Sequence, residues 1–178
     1  MKRFLTSGLV FFVFLAGVAP VFAVDENLLA KERFEVLNRQ ISLFQEGLQS
    51  RPSDPELHFN LGTKYYELGR LYEKEAGRLF FTDENEKNQT TARELYRRSI
   101  DHLKESLKVQ PRNAGAHFNL SLDYFVAGDS ENAILHMRQA EQIFAELKDQ
   151  RGVAKSRKAL REWFDRYGYR PEDFDHSR

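Results

Sequence analysis

The chain of 178 residues carries 27 basic and 27 acidic side chains and no cysteine. An even charge excludes a nucleic-acid binder that works by neutralising phosphates, and the missing cysteine excludes disulfides and a lipid attached through sulfur, so stability rests on packing. With 30% charged residues, 10 glycines and 5 prolines, the composition favours one helical domain with a sizeable core.

Met1, Lys2 and Arg3 precede an apolar run from Phe4 to Ala19 that ends in Pro20-Val21-Phe22-Ala23. Basic, then apolar, then small residues at alternate positions is the order of a secretory signal peptide over residues 1–23, with cleavage expected after Ala23. Export to a periplasm or the outside is then the expected destination. An uncleaved membrane anchor over residues 4–23 is the alternative, because the run is just long enough to cross a bilayer.

Phe34, Leu37, Ile41, Phe44 and Leu48 follow in steps of three and four and mark one helical face. Arg51-Pro52-Ser53-Asp54-Pro55 stops that helix and starts the next, with Asp54 as N-cap and Pro55 at the first helical position. Leu57, Leu61, Tyr65, Leu68, Tyr72, Ala76 and Leu79 keep helical spacing through Gly69, so the second helix is expected to run to about Phe81. The polar stretch from Thr82 to Gln89 reads as a turn. Thr91 with Glu94 resembles a capping box that opens a third helix through Leu95, Ile100, Leu103 and Leu107.

Beyond Pro111, Asn113 can cap a short helix carrying Phe118, Leu122 and Phe125, and Gly128-Asp129-Ser130 supplies a stop and a new cap. Ala133, Ile134, Met137, Ala140, Ile143, Phe144 and Leu147 mark the next face, and a last helix beyond Gly152 carries Ala159, Leu160, Trp163 and Phe164. No segment alternates with period two for the length of a strand. Residues 169–178 are expected to form a loose tail.

His58-Phe59-Asn60-Leu61-Gly62 recurs as His117-Phe118-Asn119-Leu120-Ser121, with Tyr65 answered by Tyr124 and Gly69 by Gly128. On these residues the chain resembles the tetratricopeptide repeat family, whose unit is a helix-turn-helix of about 34 residues. The second unit, 113–147, matches through Leu120, Ser121, Tyr124, Gly128, Ala133, Met137 and Ala140, and the first, 54–111, through Leu61, Gly62, Tyr65, Gly69, Ser99, Leu103, Ser106 and Pro111. The two leucines stand about 25 residues further apart than the family period. That excess, at 70–98, reads as a lengthening of both helices of one hairpin, because helical periodicity continues on both flanks. A partial copy at 150–168 reads as a capping helix. The resemblance implies an all-α, short right-handed solenoid over residues 24–168, with one elongated hairpin and a C-terminal cap.

Such solenoids bind peptides or proteins in a concave groove lined by the first helix of each pair. Carried over residue by residue, that groove would hold Phe59, Asn60, Thr63, Tyr66, Phe118, Asn119, Leu122 and Phe125, with Lys155 and Lys158 on the last helix. The expected function is therefore a protein-interaction module. The alternative is a structural or assembly subunit of a cell-envelope complex, docked through Leu79, Phe80 and Phe81 at the tip of the long hairpin. Membrane contact is expected only through that tip or an uncleaved leader.

Little points to catalysis. The five histidines, His58, His102, His117, His136 and His176, form no metal-spaced pair, and no phosphate-binding glycine loop or nucleophile elbow occurs. No enzyme activity, cofactor or metal is expected, and His58 and His117 read as products of the repeat. Asn88-Gln89-Thr90 fits a glycosylation sequon.

Overall fold

A computed structural model describes residues 26–78, 83–170 and 173, which fold into six helices and no strand among the described residues. They are α1 (Glu26–Ser50), α2 (Pro55–Arg78), α3 (Asp83–Val109), α4 (Ala114–Ala127), α5 (Ser130–Glu146) and α6 (Gln150–Tyr167). The expected leader at 1–23 and the tip residues Leu79, Phe80 and Phe81 lie outside the described residues. Among the described residues no helix is long and apolar enough to cross a membrane.

The punctuation read from the sequence sets most helix ends. Asp54 Oδ1 accepts from the amides of Glu56 and Leu57 at 3.0 and 3.1 Å, Asn113 Oδ1 from Ala116 at 3.0 Å and Asp129 Oδ1 from Asn132 at 3.1 Å. Each satisfies an amide that a helix start leaves orphaned. Gly128 ends α4 at φ 82°, a left-handed conformation that costs glycine little. The cap of α6 is Asp149, so Gly152 lies inside the helix and is buried, not at its border.

Two expectations fail around α3. The stretch read as a turn is helical from Asp83 onward, and Thr91 lies mid-helix, its hydroxyl donating to the Lys87 carbonyl at 2.9 Å. The physical reason is that glutamate, lysine and glutamine are good helix formers, and Asp83, Glu84 and Glu86 sit in the first turn, where negative charge favours the helix dipole. The sequon is therefore on a helix. In contrast, α2 passes through Gly69 unbroken, as its apolar spacing indicated.

Each helix packs mainly on its chain neighbours, with a smaller contact between α2 and α4. The core is a chain of three apolar clusters. Leu37 and Ile41 of α1 meet Leu61, Tyr65, Leu68 and Leu71 of α2 and Leu95 of α3. Leu103 then meets Ala116 and Leu120 of α4, and Ala133, Ile134 and Met137 of α5 meet Leu160 and Trp163 of α6. Small residues set the closest approaches: a Cβ on Gly62 would lie 2.8 Å from Leu103 Cγ, and Ala133, Ala140, Ser99 and Ser106 are fully buried. The helices α2 and α3, of 24 and 27 residues, outrun α4 with its 14; at about 1.5 Å per residue, α3 is roughly 20 Å longer than α4.

Candidate functional site

Of the expected groove residues, several are occupied with one another. Thr63 donates to the Phe59 carbonyl at 2.9 Å and accepts from the Asn119 amide at 2.8 Å, which ties α4 to α2. Phe59 packs on the cluster of Leu103, Ala116 and Leu120, in the space that Gly115 leaves by lacking a Cβ. Phe118 and Leu122 pack against the α5–α6 cluster. The ring of Phe125 stacks on Trp163 at 4.6 Å, and the Arg166 guanidinium lies 5.2 Å from its centroid. These three side chains of α4 thus pack against α5 and α6. Asn60 is half-buried, and Lys155 and Lys158 are exposed on α6, with Lys158 lying 3.9 Å from Glu162.

Tyr66 has a different setting. It is half-buried, its ring 5.8 Å from that of Tyr96, and burial raises its hydroxyl pKa above the usual value. It lines a groove of about 660 Å³ between α1 and α2, together with Leu29, Val36, Leu37, Arg70 and Leu71. Along α1, Leu29, Val36 and Leu43 remain 45%, 51% and 59% exposed. Their seven-residue spacing puts all three on one side of the helix, turned away from the face that carries Leu37 and Ile41 into the core. The sequence reading missed this stripe, although the spacing was visible, because the stronger inner face claimed the helix.

A repeated histidine layer was also missed. His58 Nε2 lies 2.9 Å from the Pro52 carbonyl, an acceptor only, so Nε2 carries the hydrogen and Nδ1 accepts from His102 Nδ1 at 2.9 Å. The second hairpin repeats this: His117 Nε2 donates to the Pro111 carbonyl at 3.0 Å and Nδ1 accepts from His136 at 2.9 Å. Tyr65 stacks on His102 and Tyr124 on His136, both at 5.6 Å. Burial, and after it the neighbouring imidazole, lowers the pKa of His102 and brings His136 to about 4. The recurring Pro-to-His spacing was the available signal, but each partner histidine comes from another helix. Among the described residues no group of three histidine or carboxylate side chains is placed to hold a metal ion.

Asp123 is fully buried where α4 meets α2 and α3. Ser99 Oγ lies 2.8 Å from the Gly62 carbonyl and 2.6 Å from Asp123 Oδ2. One hydroxyl hydrogen cannot serve both, so Ser99 donates to Gly62 and a neutral Asp123 carboxyl donates to Ser99. Burial raises the Asp123 pKa to about 8, outweighing the Ser99 bond that lowers it. Oδ1 has no partner. The group acts as a buried connector of three helices, and nothing in its sequence neighbourhood distinguishes it from a solvent-facing aspartate.

No protein-family model matches the chain, and no curated protein matches it.

Proposed function

We propose that the chain is an exported docking module of tetratricopeptide-like build that seats an amphipathic helix of a protein partner along α1 and α2. One observation carries the reading: the exposed Leu29, Val36 and Leu43 stripe beside the groove that Tyr66 lines. The packing pattern supports it. α4 follows α3 and packs on α3 and α2, and α6 follows α5 and packs on α5 and, through Trp163 and Phe125, on α4. The same step taken once earlier puts a helix beside both α1 and α2. Leu29, Val36 and Leu43 recur every two turns along one side of α1, and an apolar helix face laid in a groove is a recurrent mode of peptide recognition.

The test compares partner capture from exported-protein extract by four forms of the chain: wild type, Leu29→Ser/Val36→Ser/Leu43→Ser, Asn60→Ala/Asn119→Ala, and Phe80→Ser/Phe81→Ser. Loss in the α1 variant, with the asparagine variant still binding, is the expected result. Loss in the asparagine variant alone would return the site to the α2–α4 groove. Loss only on changing Phe80 and Phe81 would favour the structural subunit docked through its hairpin tip.

A further inference from the structure

A second site lies where α2 and α3 run past the end of α4. A cavity of about 580 Å³ lies there, within the range of about 300–1,000 Å³ typical of small-molecule pockets. Ala76, Ala92 and Ile100 contribute its apolar lining, and Val126 and Ala127 of the last turn of α4 close one side.

The Tyr96 wall is held in place. A Cβ on Gly69 would come within 2.8 Å of Tyr96 Cε1, so the glycine is what lets the ring lie against α2. The Tyr96 hydroxyl donates to Glu73 Oε2 at 2.9 Å, and Glu73 also lies 3.6 Å from Arg70. The carboxylate at the rim is thus engaged. Of the two cations that line the cavity, Arg97 is engaged by Glu94 and Asp101 at 2.8 and 3.0 Å. Arg93 reaches Gln89 Oε1 only at 3.5 Å and has no carboxylate within ion-pair distance among the described residues.

We infer that this cavity binds an amphiphile with an apolar chain and a single carboxylate, of the fatty-acid class, with the chain along the α2–α3 seam and the carboxylate on Arg93. An apolar body gains by leaving water for the alanine, isoleucine and valine lining, and a guanidinium favours a carboxylate by two parallel hydrogen bonds. The site is separate from the α1 stripe and does not depend on it.

Gly77 supplies the decisive variant. It lines the cavity, and a Cβ placed there meets nothing within 4 Å, so the larger side chain of Gly77→Phe can start from the backbone without a clash. Calorimetric titration of the full chain would use dodecanoate, dodecyltrimethylammonium and a short peptide with an apolar C-terminus. Dodecanoate is expected to bind one per chain, about tenfold or more tighter than the cationic amphiphile. Arg93→Gln is expected to weaken it about tenfold, and Gly77→Phe to abolish saturable binding, both with an unchanged melting midpoint. Absent saturation, equal binding of both amphiphiles, or binding that survives both variants would overturn the assignment, as would a peptide that binds more tightly than dodecanoate and is lost in the same variants.

Discussion

The two ends of the helix series differ. At the C-terminal end, α6 buries Val153, Leu160 and Trp163 inward and turns Lys155, Lys158, Arg161 and Glu162 to solvent. At the other end, α1 buries Leu37 and Ile41 inward but leaves Leu29, Val36 and Leu43 on its outer side. A charged outer face closes an array of packed helices, because nothing further is gained by covering it. The outer side of α1 carries Leu29, Val36 and Leu43 among exposed charges such as Glu32, Arg33 and Arg39, and these three apolar side chains are why the docking surface is assigned to α1 and not to the lysines of α6.

The largest effect is expected at the closed end. Trp163→Ala removes the ring that stacks on Phe125 and should cost about 3–5 kcal/mol, measured by denaturant unfolding; an unchanged midpoint would mean that α6 is not part of the core. Smaller losses, about 1–3 kcal/mol each, are expected from overpacking in Gly62→Leu and Gly152→Leu. The added Cβ atoms would stand 2.8 Å from Leu103 Cγ and 2.4 Å from Phe144 Cγ. Tolerance at Gly62 would break the repeat alignment, and tolerance at Gly152 the seating of α6.

These sites also mark how far the sequence could be read. Asp54, Asn113 and Gly128 announced helix ends because caps and left-handed glycines act within a few residues of themselves. The repeat gave Gly62 and Leu103 only as matching positions, and their close approach appears in the fold. The start of α3 was misplaced because a projecting helix needs no apolar face, so its polar first turns look like a loop. Phe118, Leu122 and Phe125 read as groove because the family resemblance assigns positions to a groove but does not say which helix covers them in this chain. The histidine pairs and Asp123 depend on partners from other helices, which no local pattern specifies.

Titration probes the interior between the two ends. His136, held at about 4, and His102, also lowered, are protonated in the unfolded chain near their ordinary value of about 6.5. Unfolding therefore takes up protons, and stability should fall as pH drops from about 6.5 towards 4. Asp123 has the opposite sign: with its folded pKa raised to about 8, unfolding releases its proton above about pH 4, and stability should fall as pH rises from there to 8. Asp123→Asn keeps a donor to Ser99 and removes only this second dependence. Its melting midpoint should exceed that of wild type at pH 8 by more than at pH 5; a constant difference would show that the buried carboxyl is not neutral in the fold.

The smallest stability effect is expected at the open end. Each serine in Leu29→Ser/Val36→Ser/Leu43→Ser replaces an exposed side chain and should shift stability by no more than about 0.5 kcal/mol. A cooperative loss of several kcal/mol would instead make the stripe part of the core and remove the contrast with α6.

Because the chain has no cysteine, a single thiol can be placed at either end, and the most direct measurement is photo-crosslinking from Val36→Cys and from Lys158→Cys in exported-protein extract. A discrete adduct from position 36 that is absent from position 158 is the expected result; adducts from position 158 alone, or the same products from both ends, would contradict a docking surface on α1.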